Sequence, residues 1–598
     1  MSDGMRPGPG PGGDTGAPGT TGPDDGARVQ LLARPLRRSD EASGAPSERR
    51  LAPPRRRRGS IAVPSVVAGV GLALSLPPWG FWIVAFPAAG LLWWRLAGLR
   101  PRTRAWAGWL AGLGCYVPGL EWARAFSTPG AVVLILIEAL FVALGALVVP
   151  ATGRGARALA FPAAMTLAEA ARMSWPFGGL PIGGVFLGQA GGPVLGVARL
   201  GGPLALTLAV YVGGVGVGAL VEWGLTRGRG ARGRRAATDG SRRRAGTSLA
   251  GRALAVGAVG VALVVAASLV GAVAPDGGAP VGHLTVAAVQ GGGRRGFHDG
   301  HRVPPSVVLA AQFAATRLMQ REDGGHAPAL VLWPEDVVAL DTLLADSPEQ
   351  QVLADLARSL HTTLVVGVTE TVSSTHFLNE VVAFGPSGRV VSHYEKVHRV
   401  PFGEYVPYRS FFAHFASLSA VPLNAVPGHG SGLLPTPAAP LATMISFEVF
   451  FADRGRSAVR AGGRLLIVPT NTSSYATGQV PTQEIAASEV QAVEQGRDLV
   501  QAAPTGYSAA VTNRGRLLER SVLGARQVVF ADLALRRGWT LYVRFGSAPV
   551  LALSGIALVA GWLAGRRRAR RAAPGGRAVA AAAGTGPGDT DPRSGRPR

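Results

Sequence analysis

Three residues of this chain are of the types that acyl transfer uses. Glu335 stands in LVLWPED, Lys396 in HYEKVHRVPFGEYVP and Ser446 in ATMISFEVFF. A carboxylate can take a proton from a nucleophile and later pass it on, as general base and then acid. An ammonium places positive charge where a tetrahedral oxyanion develops. A nucleophile carries the acyl group and splits one hard step into two. Alone, each has a plainer reading. Glu335 reads as a surface turn, Lys396 as a solvated charge and Ser446 as a buried small residue. Glu404, in PFGEYVP, reads alone as a loop acid. The residues gain weight from occurring together, in this order, within one stretch.

That stretch has the pattern needed to position them. HLTVAAVQ is strand-like, 305–320 reads as a helix, and ALVLWPE reads as a buried strand ending at Glu335. A helix is expected over 348–360, then strands in TLVVGVTE and NEVVAFGP. ATMISFE is expected as a strand ending at residue 446, and RLLIVPTN as another. Residues 482–502 are expected to form a helix, and GYSAAVTNRGRLL suits a hairpin through Asn513, Arg514 and Gly515. Strands alternating with helices imply an α/β fold. Glu335 and Ser446 then both leave strand ends, where loop residues converge on a pocket.

The rest of the chain is of another kind. Hydrophobic residues make up 47% of the 598, which points to membrane spans. Apolar segments fall near 61–76, 79–98, 105–120, 130–150, 156–172, 194–223, 252–274 and 547–565, giving about eight spans. The net charge of +24 raises nucleic acid as a partner. The arginines argue against it, because they cluster beside the apolar segments as topology signals. With the N-terminus in the cytoplasm, Arg55–Arg58, the group Arg95 to Arg104, Arg154 with Arg157, the loop from Arg227 to Arg252 and the tail Arg566–Arg571 all fall inside. Residues 275–546 then lie outside. The expected order is a disordered tail over 1–59, a transmembrane bundle over 60–274, the extracytoplasmic α/β domain over 275–546, a last span over 547–565 and a basic disordered tail over 566–598. Cys115 is the only cysteine, so an intrachain disulfide and a multi-cysteine zinc site are excluded. No cofactor or metal is expected.

Two acids lie inside apolar segments. Glu169, close to Arg172, reads as an ion-pair partner, and the reading of Glu138 stays open. The loop WPFGGLPIGG at 175–184 carries Trp175 and Phe177. Such aromatics favour a membrane interface, so the loop reads as a lipid-receiving element or as an ordinary turn.

Taken together, LWPED, the stretch around YEKVHRVPFGEYVP, PTNTSSY at 469–475 and QAAPTGYSAAV at 501–511 resemble the nitrilase (carbon-nitrogen hydrolase) superfamily. Joined to seven spans before and one after, the whole is similar to the apolipoprotein N-acyltransferases, from about 60 to 565. The resemblance implies an α-β-β-α sandwich. It also implies a ping-pong reaction in the cytoplasmic membrane of a bacterium. An acyl chain passes from a phospholipid to the nucleophile, and then to the α-amine of the diacylglyceryl-modified cysteine that begins a lipoprotein. By matching motif, Glu335 is the general base, Lys396 the oxyanion partner and Ser446 the nucleophile. Glu404, Glu448 and Trp333 are expected beside the substrate pocket.

One position departs from that pattern. The family carries cysteine where this chain has Ser446. A thiol, with a reference pKa of about 8.5, ionises far more readily than a serine hydroxyl. Glutamate, at about 4.3, is a weak base for a hydroxyl. Three readings follow: a working serine nucleophile, a paralogue with impaired or altered acyl transfer, or a membrane scaffold for a partner such as polyprenol-phosphate mannose synthase, to which some actinobacterial relatives are fused.

Overall fold

Each of the eight apolar segments holds a helix. The computed structural model describes residues 59–572 except 126, 234–239, 294–296, 299–300, 323–326, 415–417, 420 and 476–477. The two tails, apart from 566–572, and part of the arginine-rich loop after residue 227 therefore lie outside the described residues. The bundle helices are α1 (Gly59–Ser75), α2 (Ala85–Arg95), α3 (Pro101–Gly119), α4 (Thr128–Val148), α5 (Arg154–Arg172), α6 (Ala198–Gly233) and α7 (Gly240–Val273). Four stretches are long and apolar enough to cross a membrane unaided: Thr128–Val148, Leu195–Arg227, Ala250–Val273 and Ala548–Arg567. The bundle's outer faces expose large apolar side chains, among them Val63, Leu140, Leu269 and Ile556. Helices with apolar exteriors suit a lipid surrounding. Inside, small residues let backbones meet: a Cβ on Gly69 of α1 would lie 1.9 Å from the Ala111 carbonyl oxygen of α3.

The domain between α7 and the last helix is built from two sheets. In the first, six strands follow the order Gln527–Leu535, Gly282–Gln290, Leu330–Leu332, Thr363–Ser373, His376–Phe384, Val390–Glu395. In the second, six follow in chain order: Leu433–Leu434, Leu441–Thr443, Leu465–Pro469, Leu499–Ala502, Ala509–Val511, Leu517–Arg520. Each has a parallel centre with antiparallel flanks. Alternation splits every central strand between two cores. Val286, Leu332, Val365, Leu465, Ile467 and Val500 meet between the sheets. Ala287, Val331 and Leu364 face outward onto α8 (Pro305–Glu322) and α9 (Pro348–Leu360). A short α10 (Arg409–Phe412) lies on a loop. Outside the second sheet, α11 (Ala452–Arg460) and α12 (Val480–Gln495) share one core with the bundle. The layers are therefore α-β-β-α, as expected.

Some boundaries differ from the sequence reading. The helix expected over 482–502 ends at Gln495, where Gly496 caps it at φ 63°, and Leu499–Ala502 is a strand. The strand expected to reach residue 446 stops at Thr443. α12 is also more buried than its polar sequence suggests. It lies between the second sheet and α6, so Gln483, Glu484, Ser488, Gln491, Glu494 and Gln495 are all buried. The chain closes with α13 (Leu541–Phe545) and α14 (Ala548–Ala572), which packs along α5.

Candidate active site

Glu335 follows a three-residue strand. Trp333 continues its register and donates its backbone N–H to Val365, and Pro334 then ends the ladder. The loop lies flat on the neighbouring strand because that strand has Gly367 there. A Cβ at 367 would sit 2.3 Å from the Pro334 carbonyl oxygen and 2.5 Å from Glu335 Cα. Trp333, expected beside the pocket, points elsewhere. It is fully buried in the core between the first sheet and the helices, edge-on to Phe313 at 5.2 Å. Its role there is packing.

Lys396 immediately follows the strand Val390–Glu395. Its Nζ donates to Glu335 Oε1 at 2.7 Å and to Glu404 Oε1 at 2.6 Å, and the side chain is 1% exposed. Burial alone would lower its pKa, but the two carboxylates overcome that and raise it, so the ammonium stays charged. Asn379 Nδ2 bridges the same two oxygens, at 2.9 Å each. Glu404 Oε2 also accepts the Val400 N–H at 2.8 Å. Burial, with Glu335 adding to it, holds Glu404 above the usual carboxylate range although Lys396 pulls the other way. The result is a closed set: two acids, one ammonium and one amide.

Ser446 opens a 3-10 turn, Ser446–Phe450, with φ of +51°. Side chains other than glycine rarely hold that conformation, and such strain clusters at functional sites. A sharp turn two residues beyond a strand lifts the side chain off the sheet end, much as nucleophile elbows do. The turn and the lysine loop are tied by one carboxylate. Glu448 Oε1 accepts the N–H groups of Val397 (2.8 Å) and His398 (3.0 Å), and its Oε2 accepts that of Ile445 (2.9 Å). Tyr394 donates to the same carboxylate at 3.0 Å, and Arg454 donates to the Tyr394 hydroxyl at 2.8 Å. Glu448 is fully buried, so what the structure shows for it is positioning, between Lys396 on one side and Ser446 on the other.

The sequence reading missed four polar residues here. Asn379 lies in a strand, Tyr394 precedes the lysine, Thr470 follows a strand in PTNTSSY, and Glu484 sits on α12. Thr470 Oγ1 lies 3.2 Å from Ser446 Oγ and also bonds Glu484 Oε1. The PTNTSSY motif marked Thr470's neighbourhood, while nothing in the sequence marked Glu484.

Bundle residues reach the same place. Trp122 meets Tyr475 edge-on at 5.6 Å, and Tyr475 is held above its usual pKa by burial, with Glu404 and Glu335 adding to it. Phe177 of the WPFGG loop meets Phe402 at 6.0 Å and Tyr408 at 6.2 Å. Phe402 and Tyr408 belong to the loop that carries Glu404. Arg172 anchors the Phe177 loop: it is fully buried, bonds Glu169 at 2.8 Å and Glu138 at 3.1 Å, and donates to the carbonyls of Leu180, Pro181 and Ile182. Both acids of the apolar segments are thus ion-pair partners. Cys115 lies buried on α3 in the bundle.

Two family descriptions match the chain: the apolipoprotein N-acyltransferase N-terminal domain over residues 68–216, and carbon-nitrogen hydrolase over 327–538. An apolipoprotein N-acyltransferase of Geobacter metallireducens is 30% identical over 298 residues, 49% of this chain and 56% of that protein. The one from Mycolicibacterium smegmatis is 30% identical over 526 residues, covering 83% of this chain and 84% of its own length. This chain belongs to the apolipoprotein N-acyltransferase family. The relative from Azotobacter vinelandii, 28% identical, covers 86% of this chain and 96% of itself. Among solved structures, Saccharomyces cerevisiae Nit3, of the nitrilase superfamily, is 18% identical over 43% of this chain and 91% of its own, with a TM-score of 0.33. The family membership accounts for both parts of the molecule, an apolar bundle and a carbon-nitrogen hydrolase domain packed on it.

Proposed function

We propose that this chain moves an acyl chain from a membrane phospholipid to the α-amine of the N-terminal diacylglyceryl-cysteine of lipoproteins, through an acyl-enzyme on Ser446. The observation that carries this reading is the clamp at Glu448. One buried carboxylate binds the backbone beside Lys396 and the backbone beside Ser446, and so fixes a permanent ammonium next to a strained hydroxyl turn. Lys396 serves the oxyanion, and Glu335, held by Lys396 and Asn379, serves as general base. Glu404 keeps the ammonium charged and in place.

The membrane part supports delivery of both substrates. In this reading all eight apolar helices span the cytoplasmic membrane, both termini are cytoplasmic, and the α/β domain lies outside with its mouth on the bilayer. Phe177, Phe402 and Tyr408, each at least 39% exposed, form an aromatic rim on which an acyl chain can enter. No observation favours the alternative of a scaffold for a polyprenol-phosphate mannose synthase. The test is a transfer assay with purified protein, phospholipid and a diacylated lipopeptide. N-acylated product is expected, with Glu335→Gln and Ser446→Ala each lowering the rate by about 100-fold or more. Full activity in both variants would show that the residues are misassigned.

A further inference from the structure

Arg157 sits in the first turn of α5 and is 8% exposed, yet among the described residues no hydrogen bond or ion pair holds its guanidinium. Its contact is the face of Trp93, 5.5 Å from the ring centre. Trp93 is fully buried, and among the described residues its indole N–H has no acceptor either. The one acid that faces Arg157 is Glu222 of α6, and Arg154 already holds it at 2.5 Å. Arg104, also buried, differs: it donates to the carbonyls of Leu99 and Leu147, and the second of these closes the end of α4. A buried cation without a counterion is costly in an apolar bundle, and a buried N–H without an acceptor adds to the cost. Both orphaned groups are donors only, so the chemistry that satisfies them is an anion rich in acceptor oxygens.

The surroundings have the same sign. This end of the bundle is turned away from the α/β domain. α3 begins here and ends at Gly119, where Gln483 of α12 meets it, about 28 Å along the helix. α3 and α5 both start at this end, and neither N-cap residue supplies a side-chain hydrogen bond. Each first turn therefore offers backbone N–H groups and a positive dipole end. A long helical side chain leans back over the preceding turn, which carries Arg157 towards the start of α5. The flank of that turn is open, since a Cβ on Gly155 would meet nothing within 4 Å. Arg95 lies two residues beyond Trp93. A Cβ on Gly565 of α14 would lie 3.8 Å from that of Ala156, so Arg566 and Arg567 follow at the same edge.

We propose that Arg157, the Trp93 indole and the first turn of α5 form a phosphate-binding site, separate from the acyl-transfer site, whose ligand stabilises the bundle. The ligand is the headgroup of an anionic phospholipid or a free phosphate ion. Trp94 and Leu159 are exposed beside the site, and such an apolar flank favours the lipid. Basic pockets between membrane helices suit phospholipid headgroups, and the guanidinium fork matches a pair of phosphate oxygens.

Full-length protein in detergent is titrated with three probes: an ether-linked phosphatidylglycerol, which cannot donate an acyl chain, diolein, which has no phosphate, and inorganic phosphate. Native mass and thermal unfolding are read. Phosphatidylglycerol should bind and raise the unfolding temperature, and diolein should do neither. Arg157→Gln should weaken that binding about ten- to a hundredfold, the loss expected for hydrogen bonds between charged groups. Arg389→Gln, on the exposed surface of the α/β domain, should leave it unchanged. Glu222→Gln removes the competing carboxylate and should tighten binding, whereas a purely structural Arg154–Glu222 pair predicts no gain. That variant carries the test should Arg157→Gln fail to fold. Inorganic phosphate that raises the unfolding temperature of wild type but not of Arg157→Gln, with no lipid adduct, would support the site and make its source the solution. Equal phosphatidylglycerol binding by wild type and Arg157→Gln, binding of diolein as well, or unchanged or weaker binding by Glu222→Gln would overturn it.

Discussion

Lys396 is legible in the sequence as one charge in YEKVHR, but its setting is not. What makes it useful is Asn379, a strand residue 17 positions earlier that bridges the same two carboxylates. Nothing local marks that asparagine, because its partners arrive from two other segments. Asn379→Ala removes two hydrogen bonds to charged groups, a loss of about 1.5–3 kcal/mol, or about ten- to a hundredfold in kcat. Steady-state transfer rates check this, with protein level as the control. Glu484 gives a second, opposite kind of result. Its carboxyl is raised in the fold to about 8 against an ordinary value in the unfolded chain. Between those two values the folded state holds a proton that the unfolded state has lost, so stability falls as pH rises across that window. Glu484→Gln should therefore match wild type in thermal unfolding near pH 5 and exceed it near pH 9. A variant less stable at both pH values would contradict the assigned burial of a neutral acid.

The elements divide into those the sequence announces and those that context remakes. The strand Gly282–Gln290 and helix α9 are found where alternation and period place them. The helix expected across 482–502 failed because Leu499–Ala502 carries an apolar run that suits helix or strand equally, and only the left-handed Gly496 separates them. α12 has a polar sequence, yet the second sheet encloses it on one side and the bundle on the other. Its glutamines and Glu484 became internal partners, which nothing local in the sequence marks. Trp333 erred in the other direction: alternation puts it on the outer face with Val331, and Glu335 leaves that register because Pro334 ends the ladder. Gly367 shows how an element positions chemistry. Gly367→Ala would drive a methyl into the Pro334 carbonyl and displace the Glu335 loop. Strain of that kind typically costs about 1–3 kcal/mol. A lower unfolding temperature and a lower kcat are expected together, and an unchanged kcat would show that the loop is not held there.

At the scale of the molecule, the bundle and the α/β domain are built as one body. Gln483 of α12 accepts the Gly183 N–H at 2.9 Å and donates to the Gly119 carbonyl at 3.1 Å, so the helix that carries Glu484 is pinned to the end of α3 and to one bundle loop. The Phe177 loop is fixed to the same bundle by Arg172 and touches the loop of Glu404. An enzyme whose two substrates are both anchored in lipid needs this coupling of site to membrane. The family assignment explains the parts, and the proposed chemistry turns on Ser446. The most direct measurement is intact mass of the full-length protein after incubation with phospholipid alone, followed by peptide mapping. One acyl group on Ser446, lost on adding diacylated lipopeptide, is the expected result. No adduct on the wild type, beside a clear adduct on Ser446→Cys, would contradict the claim that an oxygen at residue 446 carries the acyl chain.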